Sequence, residues 1–180
     1  MTYLEDIFII FLRNSTKIGV FMTVCFIGHK SIAKTKQLVQ SLKNTILALI
    51  NKGATTFLFG SASEFDCLSW EVVTELKQSY SHIKRIYVRS AYQNIDKSYR
   101  EYLLKSYEDT YFPIKIENSG KYAYVERNFE MINNSSHCIF YYNPNYVPPN
   151  NRKSGTKVAY EYATKKKKII LNLYEQMPYN

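Results

Sequence analysis

Short runs of apolar, β-favouring residues alternate with amphipathic stretches along most of the chain. Residues 23–27 (TVCFI) form a compact apolar run closed by Gly28, and residues 34–51 follow with Leu38, Leu42, Ile46, Leu49 and Ile50 at helical spacing. Gly53 stands where a glycine commonly ends a helix. Residues 55–59 (TTFLF) predict a second buried strand closed by Gly60, and 64–79 a helix opened by Ser63, Glu64 and Asp66. Further on, residues 85–88 predict a third strand, 95–108 a helix, 114–117 a short strand or extended connector, and 122–134 a helix. The fourth main strand is 137–142 (HCIFYY), followed by a helix over 156–167 and a final strand over 168–173 (KIILNL).

Strands that are apolar throughout, separated by helices, imply a parallel sheet covered on both faces. The expected fold is therefore α/β: a Rossmann-like three-layer α/β/α sandwich with a mostly parallel sheet of about five strands. A length of 180 residues leaves room for one such domain. We place it at residues 22–180, because Met22 immediately precedes the first clean strand. Residues 1–21 read as an N-terminal extension, a mis-called start or a docked segment. The one long irregular stretch is 143–153 (NPNYVPPNNRK), where three prolines and four asparagines oppose regular structure. Loops of that length in a small domain are often functional.

Charge narrows the partners. The 24 Lys and Arg against 15 Asp and Glu give +9, which suits nucleic acid, an acidic membrane surface or a small phosphorylated ligand. Four of the lysines, Lys165 to Lys168, fall at a predicted helix end, where they complement the dipole and need not form a nucleic-acid patch. The apolar run at 7–12 is far short of the about 20 residues a membrane span needs, and it lacks the basic start of a signal peptide. Cys25, Cys67 and Cys138 are odd in number and widely separated, so they read as small buried residues of a reducing, cytoplasmic environment. Neither a metal site nor a bound cofactor is expected.

In an open parallel sheet, ligands bind beyond the C-terminal strand ends, beside the helix N-termini. That rule selects Gly28-His29-Lys30, Gly60-Ser61-Ala62-Ser63, Arg89-Ser90 and the loop running from Asn143 to Thr156. Ser154-Gly155-Thr156 is the better anion site, since glycine allows close approach and the hydroxyls add donors; as a local signal it equally describes a helix N-cap. Neither glycine turn is a Walker A or G-x-G-x-x-G pattern, so a standard dinucleotide site is not indicated. His29 lacks a partner at metal spacing and reads as a strand-end polar residue, and Arg127 taken alone reads as a solvated helix residue.

Taken in order, these segments resemble a family. F-I-G-H-K (26–30), F-G-S-A-S-E-F-D (59–66) with W-E-V-V-T-E-L-K (70–77), Y-V-R-S-A-Y (87–92), E-R-N-F-E-M-I-N-N-S (126–135) and S-G-T-K-V-A-Y-E-Y-A (154–163) are similar to the SLOG superfamily, in particular its YpsA-like branch of short bacterial proteins. The resemblance implies a Rossmann-like domain that binds nucleotides or nucleotide-derived ligands. On it, Gly28-His29-Lys30 replaces the branch's frequent Gly-His-Arg, and Gly60 to Asp66 replaces a glycine-rich turn. Arg127 with Met131 matches R-x-x-x-M, and Ser154-Gly155-Thr156 matches a G-G-T loop whose first glycine is Ser154. The superfamily's phosphoribohydrolases, the Lonely Guy enzymes, carry G-G-x-G-T-x-x-E, and their glutamate position is Ala159 here. Glu161 lies about 200° further around a helix and does not simply replace it.

The resulting expectation is a module that binds or senses a nucleotide or nucleotide-derived phosphorylated small molecule, without a catalytic residue. Its ligand residues would be Gly28, His29, Lys30, Gly60, Ser61, Ala62, Asp66, Arg89, Arg127, Ser154, Gly155 and Thr156. Arg127, the 154–156 loop and Lys30 or Arg89 would neutralise the anion, with Arg152 a further basic candidate, while Tyr141, Tyr142 or Tyr146 would stack on a base. The first alternative is a nucleoside-monophosphate N-glycosidase, which would need Glu64, Asp66 or Glu161 near the ribose. The second is a nucleic-acid accessory protein, permitted by the charge but not favoured. No membrane partner is expected, and a homo-oligomer is left open.

Overall fold

The computed structural model describes residues 22–148 and 153–174. Residues 1–21 and Arg152 lie outside these described residues. Among the described residues, six strands form one parallel sheet: β1 (Met22–Gly28), β2 (Ala54–Phe59), β3 (Lys84–Val88), β4 (Asp109–Tyr111), β5 (His137–Tyr141) and β6 (Ile169–Asn172), in the order β4-β3-β2-β1-β5-β6. Five helices connect them: α1 (Lys36–Asn51), α2 (Glu64–Lys77), α3 (Lys97–Leu104), α4 (Lys121–Asn133) and α5 (Gly155–Lys165). The Rossmann-like α/β architecture expected from the strand pattern is present.

The pleat explains why the strands read as unbroken apolar runs. On one face, Val24, Phe26, Phe57, Phe59 and Ile139 meet Leu38, Leu42 and Ile46 of α1 and Leu68, Val72 and Val73 of α2. Phe26 is the centre of this layer, its ring 5.0 Å from that of Phe59 and 6.1 Å from that of Phe57. The alternate residues Cys25, Ile27, Leu58, Cys138 and Phe140 face Met131 and Ile132 of α4 and Ala159 and Ala163 of α5. Both faces are buried, so alternation disappears from the sequence. Cys25 and Cys138 are paired across β1 and β5, and burial pushes the Cys25 thiol pKa up, away from reactivity. Cys67 departs from the expectation, since it lies on the exposed side of α2.

Helix starts follow their caps. The Thr35 hydroxyl accepts from the Leu38 N–H, so α1 begins at Lys36, and Asp96 accepts from the Tyr99 N–H, so α3 begins at Lys97. α1 closes on Gly53 at φ 103°, a conformation that favours glycine. The stretch expected as a helix over 95–108 is shorter than its pattern, because residues 109–111 peel off to pair with β3. That short strand is the sixth, and it displaces the expectation of one at 114–117, where Ile114 is 95% exposed. β4 is hidden in sequence because Thr110 is its buried position, held by its hydroxyl donating to the Tyr87 carbonyl at 2.9 Å. Lys168 also differs from a dipole-complementing lysine of its own helix: its Nζ donates to the Asn133 and Ser135 carbonyls at 2.9 and 2.7 Å, closing the end of α4.

The chain runs β1 to β4 toward one edge of the sheet, with α1 and α2 on one face. It then crosses to the other face through α4, and β5 and β6 extend toward the opposite edge. The connections out of β1 and β5 therefore diverge, which opens a crevice beyond their C-terminal ends.

Candidate functional site

A cavity of about 240 Å³ occupies that crevice. Gly28, His29 and Lys30 line it from the end of β1, Ser61, Ser63 and Asp66 from the turn into α2, and Ser154, Gly155 and Thr156 from the start of α5. Three of the four sequence segments picked by the strand-end rule thus converge on one space, and Arg89-Ser90 does not. Asn128 and Met131 of α4 and Tyr146 of the loop after β5 complete the wall. Sequence reasoning missed Asn128, which carries no signal beyond its place next to Arg127.

The two helix N-termini at this cavity differ in chemistry. At α2 two of the first-turn donors are already used, the Glu64 N–H by the Lys30 carbonyl at 2.8 Å and the Asp66 N–H by the Ser63 hydroxyl at 3.2 Å, and in the turn before it the Ser61 N–H donates to the Asp66 carboxylate at 3.3 Å. Glu64 itself accepts from the Ile32 N–H at 2.8 Å. At α5, the Ser154 hydroxyl caps the Lys157 N–H at 3.1 Å, as its N-cap pattern indicates. The amides of Gly155 and Thr156, in the first turn, have no acceptor within the helix. A methyl group built on Gly155 would meet no atom within 4 Å, so the space over this helix end is open. The dipole and these amides make it the favourable anion position of the crevice.

Arg127 is not solvated. It is 3% exposed, donates through Nη1 to the Gly60 carbonyl and through Nη2 to the Asn128 carboxamide oxygen at 2.9 Å, and lies 5.5 Å from the Tyr124 ring centre. Gly60 permits this approach, because a Cβ there would sit 2.8 Å from the arginine Cδ and Nε and 2.9 Å from Met131 Sδ. Arg127 therefore fixes the turn after β2 from behind and does not line the cavity. Asp66 does line it, at 2% exposure. Burial pushes its pKa up to about 7 even though Arg127 pulls the other way. Its Oδ1 has no hydrogen-bond partner among the described residues.

His29 is buried, and its Nε2 accepts from the Asn143 N–H at 2.9 Å. That bond needs a free lone pair, and burial lowers the pKa, so the imidazole is neutral. Its ring is tilted against Tyr146 at 4.6 Å. Of the three tyrosines considered for base stacking, Tyr141 is buried against Phe65 and Tyr174, and Tyr142 against Tyr160, so neither is free to stack. Tyr146 is 46% exposed and also borders an outer groove of about 760 Å³, shared with Tyr122, Tyr124, Lys121 and Lys153.

The remaining candidates lie off the cavity. Arg89 donates to the Tyr92 and Gln93 carbonyls and holds the loop after β3. Ala62 is exposed on the turn into α2 and is not part of the cavity wall. Of the carboxylates weighed for ribose chemistry, Glu161 pairs with Lys153 at 2.9 Å, Glu64 is held by Ile32, and Asp66 alone faces the cavity. Ala159 is buried between α5 and the sheet. Among the described residues no three His, Cys, Asp or Glu side chains cluster as a metal site would require, and no helix is long and apolar enough to cross a membrane.

A doubly wound parallel sheet with a crevice at the β1/β5 switch point defines a Rossmann-like α/β fold. The chain belongs to the YspA SLOG family (YpsA), whose model matches residues 22–176. Among solved structures, DNA processing protein A from Helicobacter pylori is similar in fold, with a TM-score of 0.55 and 18% identity over 83% of this chain. The match spans 63% of that protein, whose structure was described for its unique single-stranded DNA binding mode. No curated protein matches the chain in sequence.

Proposed function

We propose that the crevice binds a nucleotide or nucleotide-derived phosphorylated small molecule, with the phosphate on the first turn of α5. The observation that carries this reading is the open helix end at Gly155 and Thr156, facing a cavity that also holds Tyr146. Free amides and the dipole favour the anion, Lys30 adds charge at the rim, and Tyr146 offers a ring for a base. Arg127 supports the site by holding the Gly60 turn rather than by touching the phosphate.

The test is isothermal titration of the purified chain with a panel of nucleoside 5′-monophosphates, repeated on Gly155→Asp. An aspartate in the first turn suits the helix dipole and meets no neighbour, so the variant keeps or gains thermal stability. Its carboxylate occupies the anion position, and binding falls at least about tenfold, one charge repulsion of about 1.4 kcal/mol sufficing. Absence of binding to the unaltered chain across the panel refutes the reading. Free base released in the same samples would favour the N-glycosidase alternative.

A second reading, single-stranded nucleic acid, draws on the outer groove, where Tyr122, Tyr124 and Tyr146 stand with Lys121 and Lys153. Aromatic platforms beside lysines suit stacked bases and backbone phosphates. Oligonucleotide binding that weakens steeply with salt yet survives Gly155→Asp would select it.

A further inference from the structure

The link between His29 and the chain after β5 is not a regular continuation of the sheet. β1 ends at Gly28, and the His29 N–H still donates to the Tyr141 carbonyl at 3.3 Å. In a parallel ladder the next bond would run from the Asn143 N–H to the His29 carbonyl. It goes instead to the His29 ring, at 2.9 Å. Asn143 in turn organises the residues that follow it: its carbonyl accepts from the Tyr146 N–H at 3.2 Å, and its carboxamide oxygen from the Asn145 N–H at 2.9 Å. Tyr146 closes this turn with its ring centre 4.6 Å from that of His29. One imidazole thus supports both the backbone and the ring of the residue where the inner cavity meets the outer groove.

We propose that His29 is a positioning residue that holds Tyr146 in place only while its imidazole is unprotonated, so that a proton on His29 weakens base binding and leaves the phosphate position intact. The inference rests on the nucleotide reading given above and deepens it. A backbone N–H can only donate, so the ring nitrogen facing Asn143 must carry a lone pair. An imidazolium has hydrogen on both nitrogens, and two N–H groups would then point at one another. Asn143 would lose its acceptor, and Tyr146 the turn that carries it. The phosphate is affected less, because its donors are amides of α5, whose start is set by the Ser154 cap. Of the titratable groups near His29, Lys30 follows it in the chain, Tyr142 and Tyr146 face it from the segment after β5, and Asp66 of α2 lines the same cavity. Among the described residues, α4 and α5 present no titratable side chain to that cavity. Burial lowers the His29 pKa from the ordinary 6.5, so the proton arrives only in acid solution.

Two measurements test this. Nitrogen-15 NMR of the unaltered chain without ligand, from pH 8 to 4.5, follows the His29 ring and the Asn143 amide. At pH 8 the ring should carry its proton on Nδ1, and the Asn143 amide should shift with the midpoint at which the ring gains its second proton. Titration calorimetry then compares the tightest-binding nucleoside 5′-monophosphate of the panel, and inorganic phosphate, on the unaltered chain and on His29→Gln, at pH 7.5 and one unit below that midpoint. Glutamine offers Oε1 as an acceptor and takes up no proton. Protonation of the phosphate itself acts on both proteins and cancels in their ratio. Between the two pH values the monophosphate should lose about fivefold or more on the unaltered chain relative to His29→Gln, the worth of one stacked base. Inorganic phosphate should keep a constant ratio. An Asn143 amide that does not move with the ring, or a ring still neutral at pH 4.5, overturns the proposal. Equal pH dependence of monophosphate binding in the two proteins overturns the hold on Tyr146 and leaves the nucleotide reading standing. No binding of any monophosphate removes that reading and the role in base binding with it, while the NMR still decides whether the proton opens the His29 bond. Where His29→Gln fails to fold, Tyr146→Ala serves as the reference, since it too lacks the proton-controlled ring.

Discussion

Replacing Asp66 by asparagine has a calculable effect on how stability follows pH. In the unfolded chain the carboxyl titrates near its ordinary value of 3.8, whereas burial raises it to about 7 in the native state. Between those values the native protein holds a proton that the unfolded chain has released. Raising the pH through that window therefore favours unfolding, which is the reverse of the usual salt-bridged aspartate. At about 1.4 kcal/mol per pH unit over about three units, the native state loses on the order of 4 kcal/mol from this group by pH 7, and little more above it. The groups around Asp66 do not mask the change: a guanidinium does not lose its proton at these pH values, and burial pushes the Tyr87 and Tyr107 phenols up, away from the window. Urea unfolding of both proteins from pH 4 to 8.5 measures it, since Asp66→Asn has no such proton and shared contributions cancel in the difference. The stability of Asp66→Asn relative to the unaltered chain should rise by several kcal/mol from pH 4 to 7 and then level off. A difference that stays constant, or one in which the unaltered chain gains stability as pH rises, would show that Arg127 outweighs burial and that Asp66 is an ordinary ion-pair partner.

Other consequences follow from the same contacts. Gly28→Ala places a Cβ 2.5 Å from Phe65 Cβ, which the α2 backbone holds in place, and should cost about 3 kcal/mol in urea unfolding. Gly60→Ala meets the flexible Arg127 and Met131 side chains at 2.8 and 2.9 Å and should cost nearer about 1 kcal/mol. Arg127→Met leaves the Asp66 carboxylate without its buried cation, so it should cost about 3–5 kcal/mol above pH 7 and less below, while calorimetry of inorganic phosphate binding changes less than in Gly155→Asp. Tyr146→Ala should weaken nucleotide binding by about 1–3 kcal/mol in titration calorimetry and leave inorganic phosphate binding unchanged.

Most of the architecture was legible in the sequence because its strands are buried on both faces. TVCFI, TTFLF and HCIFYY bury every one of their apolar side chains, so their apolar runs carry the signal directly. Asp109 to Tyr111 does not, since an edge strand of three residues with a threonine as its buried member has no apolar run to show. The site divides in the same way. Gly28 to Lys30 and Ser154 to Thr156 sit at strand and helix ends, where topology alone brings them together. Arg127 was misleading because Glu126 and Asn128 flank it like any solvated helix residue; its burial depends on Gly60, which is 67 residues away in sequence. Arg89 shares its strand-end position with the cavity residues, yet its guanidinium is turned to the Tyr92 and Gln93 carbonyls of its own loop. Position at a strand end thus selects candidates, and the partners available to each side chain decide among them.

The single crossing of the sheet between β4 and β5 divides the polypeptide into two segments that meet side by side. Everything up to β4 belongs to the first segment and everything from α4 to the second, and in the sheet they are joined through β1 and β5. The crevice takes one wall from each: Gly28 to Lys30 and Asp66 from the first, Tyr146 and Ser154 to Thr156 from the second. A small molecule seated there would act as a clasp between them. Ile114, nearly fully exposed in the connector, marks a place to cut the chain. Two fragments made by that cut should reassemble more tightly when such a clasp is supplied, which would turn the fold into a split reporter for whatever molecule the crevice takes.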